Sequence, residues 1–192
     1  SRQGGDLDLF VRELDYFGPY NDPANEVVRS IARPGFPRGN WIGYDPDAET
    51  QLDAYWGQVT DGMNLIQWWR LDNLSGYHGF LGPHLSPMPA AREMIQATQV
   101  VRDGLGTLLM RLKSYDDGVA VLYSMPSTYI AHFDGNPSYG DYKHTHDAWR
   151  KMIHGAGLQF SYVTDRMLRR GEFGASRCKV LLLPMSLASA RM

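Results

Sequence analysis

Uninterrupted apolar runs in the second half of the chain constrain its fold more than any other feature. VAVLYS follows Gly118 and KVLLLP begins at Lys179, and each run offers apolar side chains to both faces of a strand. Strands buried on both faces are typical of parallel sheets covered by helices. Segments with helical spacing separate these runs from a third strand candidate, LQFSYV. The alternation predicts a doubly wound parallel sheet over residues 118–192.

A loop and a long helix are predicted between VAVLYS and LQFSYV. Residues 125–140 are rich in Pro, Ser, Gly and Asn and predict the loop, and residues 141–157 have helical spacing. The residues expected to line the buried face of this helix are Tyr142, Ala148, Trp149, Met152 and Ile153.

The first half of the chain carries another series of strand and helix signals. LDLFV near the amino end, NWIGY and MNLIQWWR predict three strands. Helices are predicted for ANEVVRSIA, for the segment from Glu49 to Asp61 and for residues 89–113. The first strand has no earlier partner, and the second series stops just after KVLLLP. We therefore expect a truncated α/β protein in which neither sheet is complete.

Composition narrows the classes of function. The hydrophobic share of 43% over 192 residues is ample for a packed core. A formal net charge of −2 without Lys/Arg clusters argues against nucleic-acid or membrane-surface binding. No signal peptide or membrane span is predicted, so a soluble protein is expected, either cytoplasmic or exported. The single cysteine, Cys178, excludes an internal disulfide and is expected to be a small hydrophobe entering a buried strand.

Metal and cofactor sites are not expected. His144 and His146 lie two residues apart on a predicted helix and diverge by about 200°, whereas helical metal pairs are three or four apart. Ser124 and Ser127 follow the strand VAVLYS, where a phosphate-binding loop would lie, but the loop is not glycine-rich.

Aromatic residues gather between Trp56 and Pro89, at the exit of the predicted strand MNLIQWWR. Ligand sites in α/β folds collect at the carboxyl ends of strands. Successive strand residues point to opposite sides, so at most one of Trp68 and Trp69 faces a ligand. The strand exit favours Trp69, with core packing as an equal alternative. His78 fits a loop residue and a ligand contact equally well. Tyr16, after the first predicted strand, lies at the level of the site's mouth, but such loops are usually only polar.

Short motifs in this stretch resemble glycoside hydrolase family 42, the β-galactosidase-like family. The motifs are Tyr55-Trp56 with Gly62, Trp68-Trp69-Arg70, Tyr77-His78-Gly79 and Ser86-Pro87. Residues 1–113 are similar to the last third of that family's (β/α)8 TIM barrel. Residues 118–192 are similar to the start of its flavodoxin-like trimerisation domain, which is of the class I glutamine amidotransferase-like type. The resemblance implies a galactoside-type carbohydrate substrate, no cofactor, and a homotrimeric parent protein.

The resemblance also implies a retaining mechanism with two carboxyl groups about 5 Å apart. The acid/base would follow the fourth barrel strand, which these residues do not include. The nucleophile would follow NWIGY, near Gly43 or Tyr44, and neither residue is acidic. Asp45 is the nearest carboxylate and becomes the candidate for the nucleophile position. A turn or cap role is the favoured alternative for Asp45 and Asp47, because aspartate commonly begins turns and helices.

Two residues, Trp69 and His78, match positions that line the family's sugar pocket. Trp69, His78 and Tyr44 are the candidate substrate-binding residues, while Ser75 stands where relatives carry a glutamate. With half of the catalytic pair absent, we expect these 192 residues to be inactive alone. The alternative is a non-hydrolytic relative that binds carbohydrate or supports assembly and has lost the catalytic glutamate.

Overall fold

The computed structural model describes residues 5–18, 22–43, 45, 47–71, 79–82, 84–113, 115–134, 142–174 and 177–188. In chain order the elements are α1 Leu7–Glu13, α2 Asp22–Ile31, β1 Gly39–Ile42, α3 Ala48–Thr60, β2 Leu65–Trp68, α4 Pro89–Val100, α5 Gly106–Arg111, β3 Val119–Tyr123, α6 Met125–Asp134, α7 Tyr142–Gly155, β4 Phe160–Thr164, α8 Asp165–Arg169 and β5 Val180–Leu182. Among the described residues, no helix has the length and apolar character required to cross a membrane.

The chain divides into two compact units. The three-stranded unit combines Ser1–Asp15, Asn21–Phe36 and Ser114–Met192, and the two-stranded unit combines Tyr16–Tyr20 and Pro37–Lys113. The change of unit after residue 113 lies next to the predicted domain boundary. Residues 1–15 and 21–36, however, cluster with the later part of the chain. The assignment of 1–113 and 118–192 to two domains stays a prediction.

In the two-stranded unit, β1 and β2 pair in parallel, with Gly39 opposite Leu65 and Ile42 opposite Trp68. The connecting helix α3 packs against β1 and α4. Ile42, Tyr55 and buried residues of α3 and α4 form the core on that side of the sheet. The strands NWIGY and MNLIQWWR and the intervening helix are therefore confirmed.

The helix predicted over residues 89–113 is interrupted. A π-helical turn, Val101–Leu105, separates α4 from α5. Gly104 within this turn has φ +139°, a conformation that glycine adopts readily and other residues rarely do. The predicted single helix is thus divided by a change of helix geometry at Gly104.

In the three-stranded unit, β3 lies between β4 and β5, and both pairings are parallel. Val121 and Leu122 of β3 are buried, as expected for the run VAVLYS. The predicted α/β class with parallel strands is confirmed. The strand β5 differs from expectation, because Val180 and Leu181 are 48% and 37% exposed. Cys178 packs beside the buried cluster of this unit.

The prediction of a strand for LDLFV is wrong, because these residues begin helix α1. Asp6 caps the helix, and its Oδ1 accepts hydrogen bonds from the backbone N–H groups of Asp8 and Leu9 at 3.1 and 3.3 Å. Leu7 and Val11, one helical turn apart, are both buried. A short apolar run fits strand and helix alike, and here the cap and the four-residue spacing favour the helix.

The predicted loop over residues 125–140 is also wrong in its first part, where α6 forms. Ser124 precedes the helix, and its Oγ accepts a hydrogen bond from the Ser127 backbone N–H at 3.3 Å. Pro126 occupies the first turn, where a missing N–H costs nothing. Ser-Met-Pro is therefore a helix start that resembles a turn signal.

The buried face of α7 differs from the predicted one. Tyr142, His146 and Ile153 are buried, whereas Met152 is 55% exposed. The helix itself is confirmed.

Candidate functional site

One face of the two-stranded sheet carries aromatic and amide side chains. Trp41 lies opposite Gln67 in the β1–β2 register. Trp69 continues the pairing, since its N–H donates to the Ile42 carbonyl at 2.6 Å, and it shares a face with Gln67 because strand side chains alternate. Tyr16 approaches from the adjacent segment of this unit. We call Tyr16, Trp41, Gln67 and Trp69 the aromatic–amide face.

The four side chains of the aromatic–amide face contact one another. The Trp41 and Trp69 rings meet edge to face, with centroids 5.7 Å apart and planes at 75°. The Tyr16 hydroxyl donates to Gln67 Oε1 at 2.6 Å. Burial raises the pKa of Tyr16, and the hydrogen bond to Gln67 acts against that rise. All four residues are half-buried, so the face remains accessible.

Trp68 lies on the other side of the sheet, as strand geometry predicts. Its ring stacks on Tyr55 with centroids 5.5 Å apart and meets Phe80 edge-on at 5.1 Å. Trp68 also borders an apolar groove of about 530 Å³ beside α4. The described residues that line this groove include no member of the aromatic–amide face.

Gly43 leaves no room for a side chain where a glutamate was expected. Its φ is +101°, and a Cβ built on it would lie 2.3 Å from the Trp69 carbonyl oxygen. The peptide bond between Trp69 and Arg70 is cis. Because the Trp69 carbonyl oxygen approaches so closely, position 43 cannot hold a catalytic carboxylate in this backbone.

Asp45 and Asp47 make turn and cap contacts. Asp45 is exposed, and its Oδ1 accepts from the Asp47 backbone N–H at 2.9 Å. Asp47 caps α3 by accepting from the Thr50 N–H and hydroxyl at 2.8 and 2.9 Å. Hydrogen bonds from Thr50 hold the pKa of Asp47 below its usual value. The side chain of Gln51 also bonds to the Asp45 carbonyl, and a catalytic role for Asp45 stays a prediction.

The predicted site residues are only partly within the described part of the chain. Trp69 and Asp45 are described, whereas Tyr44, His78 and Ser75 lie outside the described residues. The structure brings Trp69 together with three residues that sequence reasoning missed or treated as ordinary, which are Tyr16, Trp41 and Gln67. Because side chains alternate along a strand, the segments NWI and LIQWW could have placed Trp41 and Gln67 on the same face as Trp69. The signal for Tyr16 was its place after the predicted strand LDLFV, which is a helix, and its contact with Gln67 is long-range.

The Ser124–Ser127 segment after β3 is occupied by the chain's own backbone. Ser127 Oγ accepts from the N–H groups of Leu187 and Ala188, each at 3.1 Å, and donates to the Ala188 carbonyl at 3.0 Å. These contacts use the hydroxyl that a phosphate would otherwise bind.

His146 is a buried residue of the three-stranded unit. Its ring lies 4.3 Å from that of Tyr142 and just over 6 Å from those of Tyr123 and Tyr162. Neither ring nitrogen has a hydrogen-bond partner among the described residues. Burial lowers the pKa of His146 to about 4, so the ring is neutral near pH 7. Within the described ranges no three His, Cys, Asp or Glu residues are grouped to hold a metal ion.

The parallel α/β units have a glycosidase-like fold. The chain superposes on a β-galactosidase from the psychrophilic Marinomonas ef1 with a TM-score of 0.65 and 15% sequence identity, over 96% of this chain and 35% of that chain. The likeness at this identity is one of fold alone, and the chain spans about a third of that protein. No protein-family model and no curated protein sequence matches the chain.

Proposed function

We propose that the chain is a carbohydrate-binding part of a β-galactosidase-like glycoside hydrolase, and that alone it binds a β-galactoside-type sugar without hydrolysing it. The observation that carries this proposal is the aromatic–amide face. Two half-buried indoles, set edge to face, offer apolar surface for sugar C–H groups, and Gln67, which accepts a hydrogen bond from Tyr16, offers a polar group beside them. Binding sites commonly combine aromatic surface with a few placed polar groups.

In the parent protein, we propose that β1 and β2 are the seventh and eighth strands of a family 42 (β/α)8 barrel. Trp69 then lies at the carboxyl end of the last strand, where barrel enzymes bind substrate. The order β4-β3-β5 supports a flavodoxin-like start for residues 118–192, because such sheets have the order 2-1-3. A homotrimeric parent follows from the same family assignment.

A retaining parent would need both of its carboxyl groups within about 5 Å of each other. The acid/base would come from polypeptide outside these residues, and Asp45 is the candidate for the nucleophile position. Asp45 would have to leave its turn contact with Asp47 to reach a sugar.

A parent that binds carbohydrate without hydrolysis, or that supports assembly, is the second candidate. The observation that favours it is Gly43, where a side chain has no room, at one of the two positions near which the family resemblance implies the nucleophile. A carboxyl group from Asp45 facing an acid from the fourth strand in the parent would favour the hydrolytic candidate instead.

Sugar binding by the purified chain tests the proposal. We expect galactose or lactose to change tryptophan fluorescence and to give a saturable calorimetric titration. Trp69→Ala should weaken binding at least about tenfold, because it removes the platform. Phe133→Ala, which changes an 81% exposed aromatic residue of the other unit, is the matched control and should bind normally. Absence of saturable binding by the unmodified chain would overturn the proposal.

A further inference from the structure

We infer that Tyr16 is a positioning residue that orients the Gln67 amide, so that Gln67 Nε2 donates to a hydroxyl oxygen of the bound sugar. This inference rests on the proposed carbohydrate site and names its specificity-determining group. Its basis is the 2.6 Å contact between Tyr16 Oη and Gln67 Oε1, which connects two segments of the two-stranded unit.

The length of this contact identifies which amide atom faces Tyr16. A separation of 2.6 Å is ordinary for O–H···O but shorter than the usual range for N–H···O. The amide oxygen therefore receives the tyrosine proton. Because the amide is planar, Nε2 and its two N–H groups are directed away from Tyr16.

The freed amide nitrogen lies in the right surroundings for a sugar. Gln67 Nε2 has no hydrogen-bond partner among the described residues, and Gln67 is half-buried. Trp41 lies directly opposite Gln67, and the Trp69 ring meets the Trp41 ring. A sugar stacked on one of these indoles would place a hydroxyl edge near Gln67. An N–H pair recognises a hydroxyl oxygen there, and it would be left unsatisfied by a deoxy sugar.

Gly18 supplies the space that the tyrosine hydroxyl occupies. A Cβ built on Gly18 would lie 2.6 Å from Tyr16 Oη. A methyl group there would displace the hydroxyl from Gln67. Gly18→Ala is thus an independent way to disturb the pair without changing either member.

A double-mutant cycle on the full 192-residue chain tests the inference, with galactose as the probe. Gln67→Met keeps the side-chain length and removes the amide, and should weaken binding about tenfold. Tyr16→Phe removes only the hydroxyl and should weaken binding severalfold in the unmodified chain. In the Gln67→Met background Tyr16→Phe should have no further effect, because Tyr16 acts only through the amide.

The side-chain NH₂ signals of Gln67 in a ¹⁵N–¹H spectrum provide a readout that general destabilisation would not move. They should shift on addition of galactose, and Tyr16→Phe and Gly18→Ala should each reduce that shift. Circular dichroism on every variant confirms that it is folded.

The outcomes separate this inference from the proposed function. If Trp69→Ala abolishes binding while Gln67→Met binds like the unmodified chain, the site stands and the inference is overturned. Equal losses from Tyr16→Phe in both backgrounds would also overturn it. If the unmodified chain binds no sugar, the proposed function fails and this inference fails with it.

Discussion

A methyl group at position 43 would lie 2.3 Å from the carbonyl oxygen of Trp69, and the backbone there has φ +101°. A side chain at this position would therefore have both a steric cost and a conformational cost. The same contact leaves no room for a glutamate side chain at position 43, one of the two positions near which the nucleophile was expected. At this scale a single backbone contact limits what the site can do.

We expect Gly43→Ala to lower the free energy of unfolding by about 3 kcal/mol, measured by urea titration with tryptophan fluorescence. Gly104→Ala is the control, since Gly104 belongs to the same unit and has φ +139° but nothing within 4 Å of its Cβ position. It should cost less than Gly43→Ala, because only the conformational cost of about 2 kcal/mol applies. Equal losses for the two variants would contradict the steric explanation.

His146 makes stability depend on pH. Its folded-state pKa is about 4, below the ordinary 6.5, so the unfolded chain binds the proton more tightly. The neutral His146 ring contributes fully to the free energy of unfolding above pH 6.5, and this contribution is lost as the pH falls toward 4. The full loss is up to about 3 kcal/mol. We expect His146→Phe to remove this part of the pH dependence of unfolding, whereas His132→Phe, an exposed control, should retain it. Parallel pH profiles for unmodified chain and His146→Phe would refute the assignment.

At the scale of elements, α1 is held by a buried carboxylate. Asp8 is 2% exposed, and it accepts from Arg12 Nε at 2.8 Å and from Thr164 Oγ1 at 2.9 Å. Arg166 adds an ion pair to Asp6 at 2.6 Å. These contacts attach α1 to β4 and α8 within the three-stranded unit.

We expect Asp8→Ala to destabilise α1 by about 2 kcal/mol, because it removes two hydrogen bonds and leaves a buried hydroxyl without its acceptor. Hydrogen exchange of the α1 amides should become markedly faster, while exchange in β3 changes little. Glu13→Ala, at the exposed end of the same helix, serves as the control. Unchanged protection of α1 in Asp8→Ala would show that the apolar contacts of Leu7 and Val11 suffice.

Most elements could be predicted because their signals are local. Asp47 precedes α3 as a capping residue, and Gly62 follows the end of that helix. The errors arose where local signals conflict. LDLFV has the composition of a strand, but Asp6 caps a helix there, and Asp8 of that helix accepts a hydrogen bond from Thr164, 156 residues away. Ser124 and Pro126 resemble a turn and begin a helix.

At the scale of the whole molecule, we propose that the chain supplies one wall of a sugar site and at most half of a catalytic pair. Its fold matches 35% of a β-galactosidase chain, and Asp45 is occupied in a turn. We therefore expect this chain to bind a sugar without hydrolysing it.

We expect the purified chain to give no hydrolysis of a nitrophenyl β-galactoside, because a retaining reaction needs two facing carboxyl groups. The assay measures nitrophenol release against a buffer control. If release is detected, Asp45→Asn tests its origin, with Asp53→Asn on the exposed surface of α3 as the matched control. Activity that depends on Asp45 would contradict this expectation.

The sequence by itself determined the α/β class, the parallel strands and most helix ends, because apolar periodicity and caps act over a few residues. It also singled out Trp69. Only the tertiary structure decided that Gly43 approaches the Trp69 carbonyl and that Tyr16 meets Gln67, 51 residues away. Such contacts depend on how strands align in a sheet, and no local pattern encodes them. The candidate site was therefore located from the sequence, and its composition was decided by packing.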